Sequence, residues 1–207
     1  DGAYGTLNET SNANIPGNDI SGNTSIDFSA PTLVAGDENW TDYLLTARII
    51  PGDDDGHGVV VRFQDPENFY RIALASQDDG VGRPWQGVSI QKKVNGIWSE
   101  VFHDDTVSFI PPNNVPYDIL VTVNGNSLEV VITGDPDGSP VTHFFGPFEI
   151  TGDTVDRGKI GFFSWGMNPT EVDFVQVERL VGAPLQVNSP FGSPNPPVGL
   201  QSFDFGS

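Results

Sequence analysis

Three carboxylates in a row, Asp53, Asp54 and Asp55, sit in one glycine-flanked turn, and Asp65, Glu67 and Asn68 crowd a later one. Side chains of this type serve two chemistries. Paired carboxylates about 5–9 Å apart across a cleft hydrolyse glycosidic bonds. Convergent carboxylates with backbone carbonyls hold Ca²⁺, which needs six to eight oxygens. The first demands i, i+2 or i+4 spacing on a strand, because alternate side chains share a face. In Glu171–Val172–Asp173–Phe174–Val175–Gln176–Val177–Glu178, Glu171 and Asp173 share a face. The next positions on that face are Val175 and Val177, and Glu178 points the other way, so no third carboxylate joins Glu171 and Asp173 on their face. Other catalytic frames are missing too. His57, His103 and His143 lack close metal-ligand spacing, and there is no cysteine. Ser164–Trp165–Gly166 is not a nucleophile elbow, and no glycine-rich loop carries a phosphate-binding lysine. The enzyme reading is therefore disfavoured.

Ligand binding without catalysis has better material. Sugar rings stack on aromatic faces while carboxylates and guanidinium groups take pairs of hydroxyls. Trp85 lies in an irregular loop beside Arg83, and Trp165 leads into the loop Gly166–Met167–Asn168. Arg62 stands among valines on a strand, where a charge needs a partner, and Tyr70 begins the adjoining strand next to Arg71. These five, Trp85, Arg83, Trp165, Arg62 and Tyr70, are the candidate ligand-binding residues. Core packing competes as an explanation for both tryptophans. For Arg62 the competitor is a structural ion pair with Asp42 or Glu67. Trp40, Trp98, Phe162 and Phe163 read as core.

The elements that must position them are strands. Of 207 residues, 24 are Gly and 17 Pro, spread as turn punctuation, and no amphipathic helix of ten residues emerges. Tyr43–Ile50, Gly58–Gln64 and Phe69–Ala75 read as strands forming a three-stranded meander. Gln86–Val94 and Ile97–His103 flank Asn95–Gly96, a strong hairpin signal. Tyr117–Val123 and Ser127–Thr133 flank Asn124–Gly125–Asn126. Ser25–Ser29, Thr142–Ile150, Lys159–Trp165 and Glu171–Leu180 complete about a dozen strands. This pattern predicts an all-β fold, a two-sheet antiparallel β-sandwich of jelly-roll type. The sandwich should occupy 1–181. A Pro/Gly/Ser-rich linker, tail or start of a following module should occupy 182–207.

The balance of 9 Lys+Arg against 28 Asp+Glu gives a net charge of −19. That sign opposes nucleic acid and anionic membrane as partners and favours cations or neutral ligands. No apolar run approaches the roughly 18 residues of a membrane span.

Trp40–Thr41–Asp42–Tyr43, then GDDDGHGVVVRFQDPENFYRIAL, then Asn95–Trp98, then Lys159–Phe163 and Val172–Val177, resembles a known order of elements. It is similar to the concanavalin-A-like jelly rolls of the laminin-G type, with thrombospondin C-terminal and sugar-binding relatives, over Ser25 to Leu180. The laminarinase-like Glu-X-Asp-X-(X)-Glu signature of enzymes on such sandwiches is not met. Leu185–Gly206 resembles the opening of a bacterial surface-protein β-repeat. The resemblance implies a structural Ca²⁺ between an early acidic residue and an Asp of the last strand, here Asp173 with Asp27, Asp37 or Asp42. It implies a non-catalytic carbohydrate-binding or adhesive module, calcium-stabilised, in a secreted or cell-surface bacterial protein of several domains. Its partner would be a polysaccharide or glycosylated surface, with no nucleic acid and no membrane insertion, and the module itself would be monomeric. A structural or protein-interaction spacer is the alternative, and a polysaccharide-active enzyme comes after it.

Overall fold

The computed structural model describes residues 7–9, 30–76, 86–106, 110, 113–134, 139–150, 155–165, 170–180 and 201–202. Thirteen strands run through them: β1 (Leu7–Glu9), β2 (Thr32–Ala35), β3 (Tyr43–Pro51), β4 (Gly56–Asp65), β5 (Asn68–Ala75), β6 (Gly87–Val94), β7 (Ile97–Asp104), β8 (Tyr117–Asn124), β9 (Ser127–Gly134), β10 (Val141–Glu149), β11 (Lys159–Trp165), β12 (Thr170–Arg179) and β13 (Gln201–Ser202). They form two antiparallel sheets, the jelly-roll sandwich that the turn spacing predicts. The seven-stranded sheet A has the order β1-β12-β3-β8-β9-β10, with β13 also on β12, and the six-stranded sheet B has the order β2-β11-β4-β5-β6-β7.

The expected strands recur within one or two residues at each end, except that Ser25–Ser29 lies outside the described residues and β1, β2 and β13 are additional strands. The expected meander from Tyr43 to Ala75 is corrected. β4 and β5 do pair, but β3 leaves them and lies between β12 and β8 in the other sheet. The acidic turn after Pro51 is thus a crossing from one layer to the other and not a hairpin. Local pattern sees a turn; which sheet the next strand joins is decided by distant partners. The Asn95–Gly96 hairpin holds as expected, with both residues at positive φ (49° and 79°), as a two-residue turn of the mirror-image type requires.

Between the sheets, Tyr43, Leu45, Ala47 and Ile49 of β3 meet Val59 and Val61 of β4, Ile72 and Leu74 of β5, and Ile119 and Val121 of β8. Each fully buried aliphatic side chain contributes about 1.5–3 kcal/mol. The two outer faces differ. On β3, buried residues alternate with Leu44, Thr46 and Arg48, which face outward, so sheet A turns one face to water. On β4, Val59, Val60 and Val61 are all buried. Val60 joins Phe69, Ala73, Ala75, Phe163 and Trp165 in a second apolar cluster on the outer face of sheet B. A run of three buried valines is the sequence mark of a strand covered on both sides.

Candidate functional site

The outer face of sheet A carries an open groove of about 790 Å³ lined by Thr46, Arg48, Asp118, Leu120, Val131, Thr133, Asp173 and Phe174, among others. Pairing places these residues. Thr142, Thr133, Asp118, Arg48 and Phe174 stand opposite one another on five successive strands. Phe144, Val131, Leu120, Thr46 and Gln176 make the next row. At the centre, Arg48 Nε donates to Asp118 Oδ1 at 2.8 Å and Nη2 donates to Oδ2 at 2.9 Å. This fork-to-fork pair fixes both planar groups. Its hydrogen bonds and the Asp118 charge raise the Arg48 pKa, and the Asp173 carboxylate adds to the effect.

Phe174 owes its outward position to a bulge. The register of β12 against β3 shifts between Val172 and Phe174, so Asp173 is the extra residue. Asp173 and Phe174 are both exposed, Phe174 to 42 %. The bulge also turns Gln176 and Glu178 outward while Val175 and Val177 pack on the core. The expectation that Glu178 faces away from Asp173 is therefore corrected. The two lie five residues apart along the strand, about 15 Å, beyond the reach of a glycosidase pair. A second exposed aromatic, Phe144 at 76 %, stands at the far side of the face. Four strand spacings, about 19 Å, separate its strand from that of Phe174.

The outer face of sheet B is polar and aromatic as well, buried at Arg71, Gln91 and Ser89, half-buried at Trp98 and exposed at Glu100. Arg71 Nε donates to Gln91 Oε1 at 2.8 Å. Gln91 Nε2 donates to Ser89 Oγ at 2.9 Å, and Ser89 Oγ donates to Glu100 Oε2 at 3.0 Å. The Arg71 guanidinium lies 4.1 Å from the centre of the Trp98 ring and 5.0 Å from that of Phe163. Arg71, Gln91 and Ser89 are buried and are linked by hydrogen bonds. Nothing in the alternation of this sequence singled out Arg71, although Gln91 and Ser89, two apart on a strand, are the signal that could have done so.

The ligand-binding candidates fare as follows. Tyr70 is wholly buried in the core between the sheets. Trp165 is 4 % exposed and packs beside Val60 and Phe163 on the outer face of sheet B, so it offers no open platform. Arg62 is buried and serves structure. It stands at φ 51° in an irregularity of β4 between Val61 and Asp65. Its Nη2 donates to the carbonyls of Thr41 and Gly125, and its backbone N–H donates to the Tyr43 hydroxyl. Asp42 completes the cluster, accepting from Thr41 Oγ1 and from the Gly125 N–H. Arg62 and Asp42 thus tie β4 of one sheet to β3 and the β8–β9 turn of the other. Of the two partners expected for Arg62, Asp42 shares its cluster, while Glu67 takes Lys93 at 3.2 Å. Arg83 and Trp85 lie outside the described residues. Trp40 and Phe162 are core as expected, while Trp98 and Phe163 lie on the outer side of sheet B.

The metal candidates are not brought together. Asp42 is buried with both carboxylate oxygens engaged. Asp37 is exposed and caps its own turn through the N–H and side-chain amide of Asn39. Asp173 lies seven residues along β12 from Leu180, whose N–H reaches the Asp42 carbonyl, so the two aspartates are roughly 20 Å apart. Asp27 is outside the described residues. Among the described residues, one acidic or histidine group could close on a cation: Asp53, Asp54 and Asp55, with carboxylate oxygens within 4.8 Å of one another. Burial raises the Asp54 pKa, and a hydrogen bond with Asp53 raises it further.

No known protein family and no curated protein matches the chain. Solved structures of similar shape include a toad ovary galectin in complex with thio-digalactose, 14 % identical with a TM-score of 0.47, covering 73 % of this chain and 100 % of that one. Galectin-Va of Xenopus laevis is 12 % identical with a TM-score of 0.42, covering 66 % and 86 %. A xylan β-1,4-xylosidase from Bacillus halodurans is 8 % identical with a TM-score of 0.45 over 72 % of this chain, which spans only 30 % of that enzyme. The functional reading therefore rests on this chain's own residues.

Proposed function

We propose that the chain is a non-catalytic carbohydrate-binding module and that its sugar lies in the groove on the outer face of sheet A. One observation carries this: Phe174, an exposed aromatic, stands beside the Arg48–Asp118 fork, with Asp173, Thr46 and Thr133 around it. A pyranose ring has an apolar C–H face and a rim of hydroxyls, and needs an apolar plate and planar polar groups side by side. Here the polar groups are held by hydrogen bonds on the central strands of a sheet, so little ordering is needed on binding. The groove's volume suits a short oligosaccharide. Both oxygens of Asp118 are occupied by Arg48, which supports a role in binding for this carboxylate.

We extend the proposal to the context of the module. A polysaccharide or glycosylated surface is its partner, and a secreted or cell-surface bacterial protein of several domains is its parent. The net charge of −19 supports solubility in salt and a neutral or cationic ligand. A structural Ca²⁺ is part of the proposal, supported by the Asp53–Asp55 turn in place of Asp173, Asp37 and Asp42.

Glycan-array screening of the whole chain, followed by calorimetric titration of the hits, tests this reading. Phe174→Ala should weaken binding at least tenfold with an unchanged melting temperature, because the ring is half exposed. Trp98→Ala, on the outer face of sheet B, should leave affinity intact. No bound glycan on the array, or loss of binding on Trp98→Ala alone in a folded protein, would overturn the assignment. A second reading, a protein-interaction spacer, draws on Phe144, Leu120 and Val131, an apolar strip on the same face. Concentration-dependent association in sedimentation, abolished by Phe144→Ser, would favour it.

A further inference from the structure

Resting on the carbohydrate reading of this groove, we infer that it selects amine-bearing glycans, polymers of de-N-acetylated hexosamine, over neutral and acidic ones, with Asp173 as the residue that takes the ammonium. The groove contains one cation and two carboxylates. Arg48 is already matched by Asp118 through two hydrogen bonds, and a uronate or sulfate would have to break that fork to reach it. Asp118 in turn has both oxygens engaged. Asp173 differs. It is the extra residue of the β12 bulge, it is exposed, and no described side chain or backbone group hydrogen-bonds its carboxylate. The groove therefore offers one unmatched negative charge next to the aromatic plate of Phe174.

An ammonium on the ring edge, with the ring face on Phe174, would give Asp173 up to three N–H donors and a charge-assisted hydrogen bond. An acetylated amine keeps the ring but loses the charge and most of the donors. An acidic sugar meets repulsion both from Asp173 and from a chain of net charge −19. The discrimination therefore comes from one positioned carboxylate and from the lack of a free cation beside it.

The test is calorimetric titration with glucosamine oligosaccharides, their N-acetylated counterparts, neutral hexose oligosaccharides and oligogalacturonate, at low and moderate salt. The expected order is amine first, neutral and acetylated roughly tenfold weaker, and no binding of the uronate. Asp173→Asn should bring the affinity for the amine form down to that for the neutral one. Asp105→Asn, an exposed aspartate on β7's trailing loop, controls for general attraction of a polycation to an acidic protein. An equal fall in both variants would overturn the inference. So would equal affinity for amine and neutral sugars that Phe174→Ala abolishes, and in that case the carbohydrate reading itself would stand. Binding of none of the sugars would sink both.

Discussion

Arg48 and Asp118, seventy residues apart in the chain, face each other on neighbouring strands and share two hydrogen bonds of 2.8 and 2.9 Å on the water-facing side of sheet A. Their side chains are 48 % and 45 % exposed. An ion pair in that setting contributes little to folding, under about 1 kcal/mol. It is well suited to hold two flat polar groups in fixed orientation for a ligand.

Arg48→Ala should therefore change stability by less than about 1 kcal/mol in urea denaturation, while weakening glycan binding tenfold or more in titration. A double-mutant cycle with Asp118→Ala should show strong coupling in affinity and weak coupling in stability. A large stability loss with unchanged affinity would make the pair a structural brace.

Arg62 is the opposite case. It is buried against the carbonyls of Thr41 and Gly125, with Asp42 in the same cluster. Removing the guanidinium leaves the Thr41 and Gly125 carbonyls without its charged donor. Arg62→Ala should cost about 2–5 kcal/mol, with glycan affinity unchanged in whatever fraction remains folded. Urea denaturation measures this directly. A loss under about 1 kcal/mol would mean that the clasp does not hold the sheets together.

His57 is fully buried between the sheets, its ring 5.8 Å from that of Tyr117. His57 Nε2 and the Tyr117 hydroxyl have no hydrogen-bond partner among the described residues. Burial lowers the His57 pKa from 6.5 to about 4, against a smaller opposing effect of the Asp55 carbonyl at Nδ1. The unfolded chain then binds a proton at a pH where the folded one does not. The stability tied to His57 is complete above pH 6.5 and is lost as pH falls toward about 4. Wild type should lose about 3 kcal/mol more than His57→Leu between pH 7 and pH 4 in denaturant titrations. Parallel pH curves for the two proteins would show that His57 does not titrate in this way.

Calcium should raise the melting temperature, and the effect should reside in the Asp53–Asp55 turn. The Asp54 pKa is raised by burial and by Asp53, so the charged form is disfavoured in the fold, and that part of stability is present in acid and lost as pH rises. A bound cation would reverse the disadvantage at neutral pH, adding about 2.7 kcal/mol when free Ca²⁺ is roughly a hundred times Kd. Asp54→Asn should abolish the shift and slightly stabilise the metal-free protein. Loss of the shift on Asp173→Asn instead would return the site to the last strand, where the family resemblance put it.

Strand positions and turn chemistry were legible in the residues alone. Residue pattern set β3, β8 and β9, and Asn95–Gly96 set a hairpin. These are local consequences of side-chain period and of the φ that a turn demands, and they need no distant partner. Core side chains such as Trp40 and Phe162 followed from the same logic. Three things depended on the tertiary structure. β3 joins β8 and β12, not β4, because sheet membership is settled by pairing across long loops. The groove exists because that pairing sets Arg48 opposite Asp118, a coincidence that no spacing within one strand encodes. A single bulged residue, Asp173, lets Val172 face the core while Phe174 stands on the surface opposite Arg48. Since side chains alternate with a period of two, one extra residue reverses every face that follows, and only the partner strand reveals where it is inserted.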